Sequence, residues 1–359
     1  MAEATMQQAT KRNKQVVLKE YVKGMPTEDN FELRKSTILP FINPDGTKAV
    51  LLKNLYLAVD ADLRRQLSGE DYPQIQLKPC AIKRGSVISG YGVAKVFKST
   101  NPDYNEGDYV WGITGWEEYT MIKDDPQFLR KIKHYPDVNK SYYTGLFGIG
   151  GFAAYVGISN VAAPKQGEVV YISAAAGGVG QLAGQFAKLN NCYVVGSAGT
   201  DEKVHLLKNK FGFDDAFNYK KETDLGAALT RYCPNGIDLY FDNVGGPLLD
   251  EVLLHMNPNS KIVVSGMISQ YNHLEKPDGI HNLFHLVTKR IVMEGFHIDN
   301  DNLNYYDEFV DKVSEMLYCK NITYLEDPKD GLENAAAALI GIFYGENIGK
   351  QVIVVADED

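Results

Sequence analysis

Cysteine is scarce in this chain: Cys80, Cys192, Cys233 and Cys319 are the only four, and they are far apart. They form no CxxC pair and no His/Cys cluster with zinc spacing, which speaks against a zinc site and a disulfide framework. A reducing compartment, with cytosol as the simplest home, follows as the expectation. Apolar runs are short, and none approaches the roughly 20 residues of a helical membrane span. The first residues, MAEATMQQATKRNKQ, are polar and lack the apolar stretch of a signal peptide, so they read as a frayed leader. Basic side chains are outnumbered 37 to 46, for a formal charge of −9. That balance argues against a nucleic-acid partner but leaves room for a local basic pocket.

What the chain does have is a segment that reads strand, glycine turn, helix, strand, from Glu168 to Gly199. Val169 to Ile172 are apolar and mostly β-branched. Ala174 to Gly180 are small apart from Val179. Gln181 to Lys188 carry apolar residues at helical spacing, and Tyr193 to Val195 make a second buried strand. This is a parallel βαβ unit with little bulk at its first turn. Ala174, Gly177, Gly178, Val179 and Gly180 let the backbone approach a pyrophosphate at a helix N-terminus. A glycine turn alone is weak evidence; the flanking strands supply the context that a dinucleotide site requires.

The 359 residues are enough for two domains. Short β-type runs at Val16–Leu18, Ala49–Leu57, Gly92–Val96, Asp108–Gly112 and Glu118–Ile122 predict a partly open barrel. From Asn139 helix and strand alternate. Tyr142–Ser159 reads as a helix, and strands at Asp215–Asn218, Asp238–Phe241, Lys261–Val264 and Arg290–Phe296 extend the βαβ unit to a doubly wound sheet of about six strands. Helices within 303–346 and a strand at Gln351–Val355 are expected to return to the first domain. The expected fold class is α/β, with residues 1–138 and 311–359 in one domain and 139–310 in a Rossmann domain.

The strings NKQVVLKEYVKGMPTE, TGWEEY, YYTGLFGI, KFGFDDAFNYK, DNVGG, GMISQYN and ENIGKQVIVV resemble the zinc-independent medium-chain reductases of the leukotriene and prostaglandin reductase branch. The look is closest to plant alkenal double-bond reductases. That resemblance implies a GroES-like catalytic barrel, an NADPH-binding domain, usually a homodimer, and reduction of the carbon–carbon double bond of α,β-unsaturated aldehydes and ketones. A quinone reductase of the same superfamily, or an NADPH-binding protein without catalysis, are the rival readings.

No acid ends the second strand of the βαβ unit, at Gly196–Thr200, where an NAD enzyme commonly places one. By resemblance, Lys203 and Tyr219 bind the 2′-phosphate of NADPH beside Gly199. Asn243 ends a strand and faces the expected crevice; Ser265, Gly266 and Tyr271 follow the next strand. Phe296 and Asn347 complete the cofactor set by resemblance. Tyr271 in SQYN is the catalytic candidate, since a phenol donates while remaining neutral at pH 7; proton delivery to the α-carbon is left open between Tyr271 and water. Trp116 and Asp62 are candidate substrate-pocket residues. Asp62 stands where the family has a tyrosine, and Tyr56, Tyr72 or Tyr91 could supply the missing phenol. Ile149–Ala153 also departs from the family's pocket segment.

Overall fold

The computed structural model describes residues 11–38, 48–70, 81–123, 128–133, 135, 138–273, 275–299 and 301–358. The first part is built of strands β1 (Lys11–Leu18), β2 (Phe31–Ile38), β3 (Ala49–Ala58), β4 (Ser89–Ser99), β5 (Tyr109–Gly115), β6 (Tyr119–Lys123) and β7 (Leu129–Lys131), with a short helix α1 (Leu63–Gln66) after β3. β3, β4, β5 and β7 pair antiparallel in that order, and β6 pairs with β3. β1 and β2 form a ribbon of their own, tied to the larger sheet by bridges at Gln15–Glu117 and Val17–Val87. β2 was not among the expected strands. In FELRKSTI only Phe31 is buried, so the alternation that marks a half-buried strand is missing.

The expected helix Tyr142–Ser159 is three pieces. A 3₁₀ turn (Lys140–Thr144) leads into α2 (Ile149–Val156), which runs into a π-helical turn (Gly157–Ala162). Gly145 and Gly148 separate the first two, as helix-weakening residues should.

The second body alternates strictly: β8 (Val169–Ile172), α3 (Gly180–Leu189), β9 (Tyr193–Ala198), α4 (Asp201–Asn209), β10 (Asp215–Asn218), α5 (Leu225–Tyr232), β11 (Ile237–Asp242), α6 (Gly246–His255), β12 (Met256–Val264), α7 (Phe284–Thr288) and β13 (Val292–Gly295). Its strands are all parallel, in the order β10-β9-β8-β11-β12-β13. This is the doubly wound dinucleotide-binding order, and it puts the switch point between β8 and β11. Val170, Tyr171, Val195, Tyr240 and Ile262 are buried in the sheet, as expected for strands covered on both faces.

The tail forms α8 (Tyr306–Tyr318), β14 (Glu326–Asp330), α9 (Ala335–Tyr344) and β15 (Lys350–Val354). β15 pairs antiparallel with β3, and β14 parallel with β15, so the tail returns to the first sheet. The division expected between 310 and 311 falls inside α8. That helix packs Phe309 on Phe152 and Tyr155 of α2, at ring separations of 4.9 and 5.3 Å. The two bodies meet where Gly177 forms a parallel bridge with Gly349.

Candidate active site and cofactor crevice

The turn after β8 is shaped for close approach. Ala174 takes a left-handed φ of 45°, and its carbonyl lies where a side chain on Gly180 would project: a Cβ there would stand 2.5 Å from Ala174 O. Only glycine fits at the start of α3. The helix N-terminus is thus entered with no side chain at Gly177, Gly178 or Gly180, which suits a pyrophosphate.

A second group of candidate side chains lies beyond β9. Thr200 caps α4 by accepting the Lys203 N–H at 3.3 Å, which fixes Lys203 at the first turn. Its side chain is largely buried, and Nζ donates to Gly345 O at 2.6 Å. Burial and the nearby Lys220 charge hold the Lys203 ammonium below its ordinary pKa. Tyr219 is 42% exposed. A Cβ on Gly199 would meet Lys220 Cε at 3.2 Å and Tyr219 Oη at 3.4 Å. Lys220 and the Tyr219 phenol therefore stand over Gly199, and the Lys203 ammonium, bonded at Gly345, is near enough to feel the Lys220 charge; two ammonium groups and a phenol make a donor set fit for a phosphate monoester.

At the switch point the ends of β8 and β11 are locked together. Asn243 Nδ2 donates to Ser173 O at 2.7 Å, and its backbone N–H to Ser173 Oγ at 3.0 Å. Asp242 Oδ1 accepts from Tyr240 Oη at 2.6 Å and from the N–H groups of Val244 and Gly245 at 2.8 and 2.9 Å. Burial outweighs these bonds and raises the Asp242 pKa. Sequence reasoning passed over Asp242, whose one signal is its place at a strand end beside Asn243. Asp242 O in turn accepts from the N–H groups of Ser265 and Gly266, which turns the chain after β12 back over the crevice. Phe296 follows β13, its N–H bonded to Val264 O, and its ring stands edge-on to Phe241. Asn347 Nδ2 donates to Gly349 O at 2.7 Å, in the loop that meets the glycine turn.

Tyr271 is folded back over that turn. Its oxygen accepts the Met267 N–H at 3.2 Å and lies 3.1 Å from where a Cβ on Gly266 would be. Burial raises its pKa, with Met267 and Arg65 opposing and the Asp62 and Asp242 charges adding, so the phenol is protonated at neutral pH. Asp62 belongs to the same neighbourhood, but its carboxylate is held by Arg65, with Nε at 2.9 Å. Tyr91 also feels Asp60 and Asp62; its ring stacks on Trp111. Tyr56 instead donates to Glu358 at 3.1 Å, and Tyr72 lies outside the described residues. Trp116 is fully buried among Val16, Leu18, Leu57 and Ile88, so its ring packs the interior of the barrel.

Two further groups sit at the junction and were not foreseen. Lys350 is buried; Nζ donates to Val59 O at 2.7 Å and pairs with Asp60 at 2.9 Å, while its stem lies against Gly178. Glu326 accepts from Ser141 Oγ at 2.6 Å, and burial pushes its pKa up to about 7. Among the described residues, no three or more His, Cys, Asp or Glu side chains are grouped to hold a metal ion, and no helix is long and apolar enough to cross a membrane.

Residues 14–132 match a family model described as the N-terminal domain of oxidoreductase, and residues 178–315 one described as zinc-binding dehydrogenase. The chain is 52% identical to an NADP⁺-dependent 2-alkenal reductase of Nicotiana tabacum, covering 96% of this chain and 98% of that one. It is 49% identical to (+)-pulegone reductase of Mentha piperita over 96% and 99% of the two chains. The solved structure of CurA from Vibrio vulnificus in complex with NADPH superposes with a TM-score of 0.85 at 33% identity, over 96% of this chain and 99% of that one. The chain belongs to the medium-chain dehydrogenase/reductase family, in the branch that holds the 2-alkenal and prostaglandin reductases.

Proposed function

We propose that this chain reduces the carbon–carbon double bond of α,β-unsaturated aldehydes and ketones with NADPH. The single observation that carries the reading is Tyr271: its oxygen accepts the Met267 N–H and stands beside Gly266 after β12, which leaves the phenolic proton for a substrate oxygen. NADPH, when bound, supplies a hydride for the β-carbon of the substrate. The chain's own work is then to hold the two reactants and to receive charge. Ala174, Gly177, Gly178, Val179 and Gly180 hold the pyrophosphate. Lys203 and Tyr219 hold the 2′-phosphate. Asn243, Ser265, Gly266, Phe296 and Asn347 line the remainder of the nucleotide crevice. As negative charge grows on the substrate carbonyl oxygen, Tyr271 donates to it, an interaction stronger in the transition state than in the ground state. Burial keeps that phenol protonated, so the donor is present across the neutral range.

In this reading the barrel sheet is the catalytic body and the parallel sheet the nucleotide-binding body. The relatives named for alkenal and pulegone reduction support an enal or enone substrate. We infer a homodimer as well. β13 is the edge of the parallel sheet, Val292 is 52% exposed, and Phe284 and Val287 of α7 are 70% and 74% exposed. A bare apolar edge of this kind is a template for pairing with a second copy. Light scattering that gives a monomer mass would refute that part. A cytosolic setting accords with the sparse cysteines. The activity itself is tested by following NADPH oxidation with a panel of enals, enones and quinones. Turnover of enals or enones to saturated carbonyls supports the proposal, and turnover of quinones alone contradicts it.

A further inference from the structure

The sequence NYKKE places two lysines side by side after Tyr219, and the structure separates them. Lys221 forms an ion pair with Asp201, whose other oxygen accepts from Asn218 Nδ2 at 2.9 Å. Its charge is spent at the outer surface of α4. Lys220 turns the other way. Asn218 Oδ1 accepts the Lys220 N–H at 3.1 Å, which fixes the turn after β10, and the side chain then crosses toward Gly199 and donates to Tyr344 O at 3.3 Å.

Lys203 reaches the adjacent carbonyl, Gly345 O. Both acceptors are at the C-terminal end of α9, where Gly345 takes φ +69°. A helix C-terminus carries partial negative charge, so it holds two like-charged ammonium groups side by side that would otherwise repel. Each ammonium has three donors, and one carbonyl bond leaves two for an anion placed between them and the Tyr219 phenol.

We propose that Lys220 is a specificity-determining residue, a second cation for the 2′-phosphate of NADPH, held ready together with Lys203 by the end of α9. This rests on the cofactor reading above and adds to it a residue that is neither Lys203 nor Tyr219. A phosphate monoester carries close to two negative charges at neutral pH, and two lysines match that charge where one does not. NADH has nothing to offer the pair.

The test is equilibrium binding of NADPH and NADH by titration calorimetry to wild type, Lys220→Gln, Lys220→Arg and Lys221→Gln. Lys220 and Lys221 are both exposed, and circular dichroism checks that each variant is folded. Lys220→Gln should weaken NADPH binding about tenfold, the size of one charge-assisted contact, and leave NADH binding unchanged. Lys220→Arg should recover most of the loss, and Lys221→Gln should resemble wild type. If wild type prefers NADPH and Lys220→Gln keeps that preference within about twofold, well under one such contact, Lys220 does not read the phosphate and the inference is overturned. An equal loss in Lys220→Gln and Lys221→Gln also overturns it, because general surface charge would then explain both. If wild type itself binds the two cofactors equally, the cofactor reading fails and the inference falls with it.

Discussion

The backbone N–H of Met267 donates to the phenolic oxygen of Tyr271 at 3.2 Å. The bond is made within one turn of chain, four residues apart, and it leaves the phenolic proton for another acceptor. A donor positioned in this way needs no reorganisation when charge appears on the substrate oxygen. Tyr271→Phe should therefore lower kcat by about a hundredfold, the usual cost of one such donor, while changing NADPH affinity little. Single-turnover kinetics with a fluorescence titration of NADPH separates the two effects. A variant with wild-type single-turnover rate would remove Tyr271 from the mechanism.

Lys203 is expected to act on affinity rather than on the chemical step. Lys203→Ala should raise KM for NADPH by about tenfold or more, from the loss of roughly 1.5–3 kcal/mol, with little change for NADH. The ratio of kcat/KM for the two cofactors measures this. A parallel loss with both would show that Lys203 supports α9 and the loop after it rather than the phosphate.

How much of this was legible in the sequence depends on how local each signal is. The βαβ unit from β8 to β9 is contiguous, and its small residues are dictated by one close approach, Gly180 to Ala174 O. It could be read without any partner. β14 could not: EDPKD has a proline and four charges, and it is a strand because it lies at the edge of the sheet beside β15, where a proline is tolerated. The helix expected from Tyr142 was broken by glycines whose cost depends on what surrounds them. At the site, Tyr271 and Asn243 sit on short turns after strands and were accessible from order alone. Lys220 and Lys350 were not. Which of two adjacent lysines faces Gly199, and that Lys350 is buried against Gly178, follow from the tail returning to the first sheet and bringing the end of α9 and β15 against the parallel body.

Asp62 is the candidate pocket residue that stands where the family has a tyrosine, and a lone carboxylate there would repel carboxylated substrates. Its pairing with Arg65 makes that bias small. Asp62→Asn should remove one negative charge and favour a carboxylated enone over its neutral analogue by several-fold at most, about 1 kcal/mol for a like-charge contact at a wet pocket mouth. The ratio of kcat/KM for the matched pair of substrates decides it. An unchanged ratio would place Asp62 outside the substrate site.

Glu326 gives a pH dependence of known sign. Its folded-state pKa is raised to about 7 by burial, against 4.5 when solvated. Between those values the folded state binds the extra proton, so the contribution of Glu326 to stability is full below about pH 4.5 and is lost as pH rises through about 7. Glu326→Gln removes the need to bury a charge. The variant should gain about 1–3 kcal/mol over wild type at pH 8 and much less at pH 5. Chemical denaturation of both proteins at the two pH values checks this, and an equal gain at both would assign the effect to packing.

The most direct test of the central claim is the fate of the hydrogen that leaves the cofactor. An enone is reduced with NADPH carrying deuterium at C4 of the nicotinamide, and the product is analysed by NMR. The saturated ketone with deuterium on the β-carbon is the predicted product, as hydride addition with charge developing on the carbonyl oxygen requires. An allylic alcohol with deuterium on the former carbonyl carbon would contradict it.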